Sequence, residues 1–163
     1  MLFRSPTSSP DSAALIALLQ RVSSANVTVG VRPVGVIGAG LLVFVGVERG
    51  DTELEALLLA ERVINYRIFA DSEGKMNLSV KETKGQILAV PQFTLAADTK
   101  SGQRPSFSTA ASPDSAERLF TRFVTKLEEW TPRVATGTFG EHMQVSLVND
   151  GPVTFWLQVS PKL

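Results

Sequence analysis

Short apolar runs begin at Leu15, and their spacing divides the chain into elements. The segments LIALLQRV, ANVTVG, RPVGVIG and LLVFVGV are rich in β-branched residues and separated by Ser, Gly and Pro, so they predict four short strands in an antiparallel meander. The period then lengthens. Asp51, Thr52 and Glu53 set oxygen side chains at a helix start, and Leu54, Leu57, Leu58, Leu59, Val63 and Ile64 form a broad apolar stripe, which predicts a helix of about four turns.

Asp71-Ser72-Glu73-Gly74 reads as a turn. The apolar run QILAVPQFTL has strand length, but Pro91 inside it cannot donate a ladder hydrogen bond, so the strand lies at a sheet edge or is interrupted there. ADTKSGQRPSFSTA is a polar loop longer than a simple connection requires. Ser112-Pro113-Asp114 caps a second helix, expected through Trp130, with Leu119, Phe120, Phe123, Val124 and Leu127 on one face. PRVATGTF and MQVSLVNDGPVTFWLQV close the chain as strands, the second broken at Asn149-Asp150-Gly151-Pro152. Residues 1–14, rich in Ser and Pro and without apolar periodicity, predict a disordered extension, with a transit peptide or a start-site artefact as alternatives. Residues 15–163 then form one α+β domain of largely antiparallel sheet, sandwich- or barrel-like, with two packed helices.

Composition narrows the chemistry. A chain of 163 residues is long enough for one domain with a substantial core. Its apolar runs stop short of the roughly 20 residues a membrane-spanning helix needs, so a soluble protein with no membrane partner is expected. The lack of cysteine removes disulfides, thiolate nucleophiles and zinc-thiolate sites, and fits a cytoplasmic location. A single histidine, His142, disfavours Ser-His-Asp and Cys-His catalysis and His-based metal sites. Sixteen basic residues balance sixteen acidic ones, so a polyanionic partner would need a local patch.

Two segments stand out: Pro91-Gln92-Phe93-Thr94-Leu95 and Asn149-Asp150-Gly151-Pro152-Val153-Thr154-Phe155. Taken singly, the first is a strand end with a hydroxyl and the second an ordinary turn. Taken together, and in order with QRVSSANVTV, YRIFADSEGKMNLSV and AADTKSGQRPSFS, they make the chain resemble the D-aminoacyl-tRNA deacylases from Leu15 nearly to its end. That family carries Ser-Gln-Phe-Thr-Leu and Asn-x-Gly-Pro-Val-Thr segments.

The resemblance implies the deacylase fold, a homodimer with its active site at the subunit interface, and the 3′ end of aminoacyl-tRNA as partner. It implies no metal and no organic cofactor. Gly151-Pro152, with Asn149 in the same motif, would carry a cis peptide bond and enter the partner's site. There, main-chain carbonyls would take the substrate amino group and leave no room for an L side chain, while glycine would pass. Arg21 would clamp this motif; its plainer reading is a surface ion pair. Amide groups at Phe93 and Thr94 would steady the oxyanion, Gln92 would position the terminal adenosine, and the 2′-hydroxyl of the RNA would help activate water.

The residues leave some alternatives open. Thr94 as a covalent nucleophile is one, although a threonine hydroxyl needs a base and no histidine lies nearby in sequence. His142 reads as a solvated loop residue, and Met143 as a core residue or a pocket lining. Arg104, Ser106 and Phe107 suit a phosphate or a stacked base, or else form a loop anchor in which Phe107 seals the core. Pro91 stands where the family has Ser, losing a hydroxyl and an amide hydrogen. A similar animal subfamily has Pro there with Ala for Phe, and Phe93 sets this chain apart from it. The rival readings are a nucleic-acid-binding module without activity and a small-substrate esterase using Thr94.

Overall fold

A computed structural model describes residues 14–131 and 133–160. The expected amino-terminal extension lies outside the described residues except for Ala14, which is buried and donates its amide to Glu48 Oε1 at 3.1 Å.

The first three strands form one long hairpin. Strand β1 (Leu15–Val29) turns at Gly30-Val31 into β2 (Arg32–Ile37) and continues into β3 (Gly40–Gly46), pairing antiparallel from Val29↔Arg32 to Ile16↔Gly46. The segments LIALLQRV and ANVTVG are therefore one strand of 15 residues, not two. Ser23 and Ser24, the expected break, sit at a register shift where β1 bends, and both face solvent. A bulge gives up one ladder pair, whereas a break would give up the strand.

Helix α1 (Glu53–Asn65) starts where expected, with Glu55 Oε1 accepting from the Thr52 amide at 2.6 Å and from its hydroxyl at 2.7 Å. Its buried face is narrower than the leucine stripe. Ala56, Leu59, Ala60, Val63 and Ile64 pack inward, while Leu54 and Leu58 face solvent. The fully buried alanines, rather than the leucine stripe, mark the side that faces in. A hairpin of β4 (Phe69–Ala70) and β5 (Met76–Leu78) follows around the expected turn. Helix α2 (Val80–Thr83) is too short to leave a periodic signal, yet Ser79 and Glu82 form the reciprocal cap that Ser-x-x-Glu announces.

Strand β6 (Gln86–Pro91) is interrupted at Pro91 rather than placed at an edge, since it lies between β3 and β7 (Val134–Thr136) and pairs parallel with both. The sheet is thus mixed. Parallel neighbours need a crossover, and the two long helices supply it: α1 lies on the path from β3 to β6, and α3 (Pro113–Glu128) on the path from β6 to β7. Helix α3 is capped by Ser112 Oγ, which accepts from the Ser115 amide, and it buries all five residues of its expected stripe. Strand β8 (Gln144–Val159) pairs with the other side of β1 and runs through the Gly-Pro segment instead of breaking there.

The sheet curls until it is nearly closed. Gly35 of β2 reaches β7, where an added Cβ would stand 2.8 Å from the Thr136 carbonyl oxygen, so only glycine permits this approach. Two cores result. Leu15, Leu19, Leu41, Val43 and Ile87 pack against α1 and α3, while Val22, Val27, Leu42, Leu88 and Val90 fill the barrel interior. Burial on both faces explains why β3 and β6 read as continuous apolar runs.

Candidate active site

The first candidate segment leaves the carboxyl end of β6. The Gln92 amide donates to the Val45 carbonyl at 2.8 Å, which ends the ladder, and Phe93–Ala96 form a 3-10 turn. Within it Leu95 N–H bonds to Gln92 O at 3.2 Å and Ala97 N–H to Thr94 O at 3.2 Å. The leading amides of any helical turn have no acceptor inside it. Accordingly, no described residue accepts from Phe93 N–H or Thr94 N–H. Phe93 and Thr94 are exposed, and the Gln92 side-chain amide donates to Thr94 Oγ1. A carboxamide is no base at neutral pH, so Gln92, the described partner of the Thr94 hydroxyl, cannot activate it.

The second segment is a bulge on β8. Between the pairs Gln20↔Thr154 and Val22↔Asn149, the residues Asp150, Gly151, Pro152 and Val153 all stand opposite Arg21. Asp150, Gly151 and Pro152 are exposed, and the Gly151–Pro152 bond is cis. Side chains tie down the base of the bulge. Asn149 Oδ1 accepts from Val153 N–H at 2.7 Å, and its amide donates to Val153 O at 3.2 Å and to Thr154 Oγ1 at 3.0 Å. Arg21, largely buried, donates from Nε to Asp150 O at 2.9 Å and from Nη1 to Ile68 O at 2.8 Å. Its ion pair with Asp150 is the longer contact at 3.8 Å, so its principal partners are main-chain carbonyls. Gly151 admits no side chain, since an added Cβ would lie 2.6 Å from Val153 N.

These two segments do not meet within one chain. β1 and β3 separate β8 from β6, a span of about 14 Å measured across the sheet.

The loop from Ala97 to Ala111 flanks the 3-10 turn. Phe107 is 41% exposed and leans on Phe93, with ring centroids 5.2 Å apart, so it does not seal the core. The anchors are elsewhere: Asp98 and Ser106 exchange main-chain bonds at 2.7 and 3.0 Å, and Thr109 Oγ1 donates to Ala96 O at 2.6 Å. The loop stands on the β3–α1 turn through Arg49 N–H to Thr109 O at 2.8 Å and Ala111 N–H to Val47 O at 3.0 Å. Arg104 is exposed at its tip. Met143 is half-buried beneath the end of β6 against Val90 and Gly137, as a core methionine, and its sulfur accepts from Thr138 N–H at 3.3 Å. His142 is exposed beside it.

Sequence patterns gave no warning of an acidic group under this loop. Asp51 Oδ2 accepts from Glu48 N–H at 2.7 Å, while Asp51 Oδ1 and Glu55 Oε2 are buried with no hydrogen-bond partner among the described residues. Burial pushes the Asp51 carboxyl up to about 7; the Glu48 amide opposes this, and the Glu48 and Glu55 carboxylates add to it. Burial raises Glu48 as well. The nearest sign in the sequence was Glu55 inside an otherwise apolar stripe.

An open groove of about 450 Å³ between α1 and the end of β8, lined by Leu58, Arg62 and Gln158 among others, contains none of the candidate residues. No helix among the described residues is long and apolar enough to cross a membrane.

Comparisons with known proteins bear on the whole arrangement. A probable eukaryotic D-amino acid tRNA deacylase of known structure shares the fold, with a TM-score of 0.78 at 19% identity over 90% of this chain and all of that one. The structure of a c-Myc DNA unwinding element binding protein is similar with a TM-score of 0.83 and 36% identity, covering 87% of this chain and 97% of the other. D-aminoacyl-tRNA deacylases of Janthinobacterium sp. and Escherichia coli O1:K1 / APEC are 58% and 59% identical, over 90% and 89% of this chain and 99% and 100% of theirs. The family model described as D-Tyr-tRNA(Tyr) deacylase matches residues 18–158, and with it this chain belongs to the D-aminoacyl-tRNA deacylase family of hydrolases.

Proposed function

We propose that two copies of this chain form a cytoplasmic homodimer that hydrolyses D-aminoacyl-tRNA, and glycyl-tRNA mischarged on tRNA-Ala, as a proofreading step in translation. Water adds to the ester carbonyl, the terminal ribose oxygen leaves, and free amino acid and tRNA result. Phe93 N–H and Thr94 N–H, both without a described acceptor, are the donors for the carbonyl oxygen as it becomes an anion. Gln92 holds the terminal adenosine. The RNA 2′-hydroxyl, beside the ester, assists the water.

The observation that carries this reading is the separation of the two segments. A bulge clamped by Arg21 and Asn149, yet exposed at Gly151 and Pro152, lies three strand spacings across the sheet, about 14 Å, and several residues along it from the turn it would serve. A second copy removes that distance. Among the described residues β8 pairs with β1 alone, and it carries exposed Val148 and Trp156 on either side of the bulge, which suits burial against another subunit. The Gly151 and Pro152 carbonyls of one copy then take the substrate amino group at the other's turn, and the tied main chain beside the α-carbon excludes an L side chain.

Release of amino acid from D-aminoacyl-tRNA, compared with its L counterpart and with a free D-amino ester, tests the reading. Release from the D-charged tRNA alone is expected. Release from the free ester would favour a small-substrate esterase. The likeness to a protein named for binding a DNA element keeps one rival, a binder without activity, and absence of release from any substrate would favour it.

A further inference from the structure

We propose that the exposed Phe93–Phe107 pair, with Lys100 and Arg104 on the same loop and Arg49 on the turn that supports it, is a docking surface for the single-stranded RNA that precedes the terminal adenosine; this rests on the reading of the chain as an enzyme acting on aminoacyl-tRNA. The rings are tilted at 51° with centroids 5.2 Å apart, and Phe93 and Phe107 are 61% and 41% exposed. Two large aromatic faces left together in solvent mark a contact surface. Bases stack on such faces whatever their sequence, because every base has a π-face.

The scaffold leaves the binding groups free. The loop is held by Asp98 and Ser106 main-chain bonds, by Thr109 and by the β3–α1 turn, none of which uses the Phe107 ring or the Arg104 guanidinium. Arg104 makes no hydrogen bond or ion pair with a described residue. Lys100 lies on the same loop within electrostatic reach of Glu48, and exposed Arg49 adjoins Thr109 through its own amide. The one acid on the loop, Asp98, turns an oxygen to the Lys100 amide at 2.9 Å. With a formal net charge of zero, attraction to RNA must come from a patch of this kind. Phe and Arg occur at protein interfaces too, but lysine is depleted there, so Lys100 beside them favours RNA over a second protein surface.

Phe107→Ala and Arg104→Gln test the proposal in the full-length chain, with two substrates: D-aminoacyl-tRNA and D-aminoacyl-adenosine, which keeps the terminal nucleoside alone. The expected result for Phe107→Ala is a rise in KM of about tenfold on the tRNA, with no matching rise on the adenosine ester. Arg104→Gln should also lower the salt slope for tRNA by about 0.7. Equal losses on both substrates, or none on either, would overturn the proposal. So would dissociation of a wild-type dimer on Phe107→Ala, which would give the patch to a second copy. If the wild type hydrolyses neither substrate, the catalytic reading fails and fluorescence anisotropy of an RNA hairpin with a short single-stranded 3′ end still decides this one. Weaker binding by both variants would support it, and unchanged binding would overturn it.

Discussion

The bulge at residues 150–153 and the turn at residues 93–96 are held in opposite ways. The bulge is tied by side chains reaching its main chain: Asn149 brackets Val153, and Arg21 joins Asp150 O to Ile68 O. The turn is tied by its own main chain and by the end of β6, leaving its leading amides and both neighbouring rings without such ties. Under the proposed function, the bulge must reject one enantiomer and so needs a fixed wall, whereas the turn must meet charge appearing during reaction and so needs unspent donors. Removing side chains should therefore damage the bulge, and only a change to the main chain should silence the turn.

Phe93→Pro sharpens this contrast most. Proline is tolerated at the first position of a helical turn and deletes one amide hydrogen. Loss of an oxyanion donor predicts a fall in kcat of about 100- to 1000-fold, measured on D-aminoacyl-tRNA. Phe93→Ala, which keeps the amide, should retain kcat far better. Similar kcat values for the two variants would break the comparison.

Asn149→Ala comes next. It strips both bracketing bonds from Val153, at a cost of about 1–3 kcal/mol in denaturant unfolding, and it should raise the ratio of L to D hydrolysis as the wall loosens. A stability loss with unchanged stereoselectivity would separate the clamp from the selection.

Asp51→Asn probes the floor beneath the loop. The Asp51 carboxyl has an ordinary value of 3.8 and a folded value of about 7. Because the folded value is the higher one, the bound proton favours the fold fully below 3.8, and that contribution is lost as pH rises through about 7. The limiting slope is about 1.4 kcal/mol per pH unit. Asparagine mimics the protonated acid, keeping an acceptor for Glu48 N–H and placing a donor near Glu55. The variant should lose most of this slope and be more stable than the wild type above pH 7, as read from urea midpoints across the range. The smallest effects belong to Thr94→Ala and His142→Gln, each expected to leave turnover within a few-fold.

Much of this was legible in the sequence wherever local chemistry and burial agreed. Ser112-Pro113 and the stripe from Leu119 to Leu127 specify α3 because cap, period and packing face coincide. Thr52 and Glu55 announce α1, but the leucine stripe misleads about its face, since the close packing of Ala56 and Ala60 carries no strong hydrophobic signal. Ser23-Ser24 resembled a break because a bulge and a turn draw on the same polar residues. Both candidate segments were legible through their resemblance to a known family. Their separation across β1 and β3 was not, because strand order is a long-range property. The buried oxygens of Asp51 and Glu55 that lack partners among the described residues were equally hidden, for burial of a polar side chain is set by tertiary packing.

The most direct test of a site shared between two copies is subunit complementation. Phe93→Pro chains and Gly151→Ala chains, each inactive alone, are unfolded together, refolded as a mixture and assayed on D-aminoacyl-tRNA. Half of the randomly formed dimers are mixed, and each mixed dimer has one site with an intact turn and an intact bulge, so about a quarter of wild-type activity should return. Activity no higher than that of the separate variants would contradict a bulge that acts on its partner.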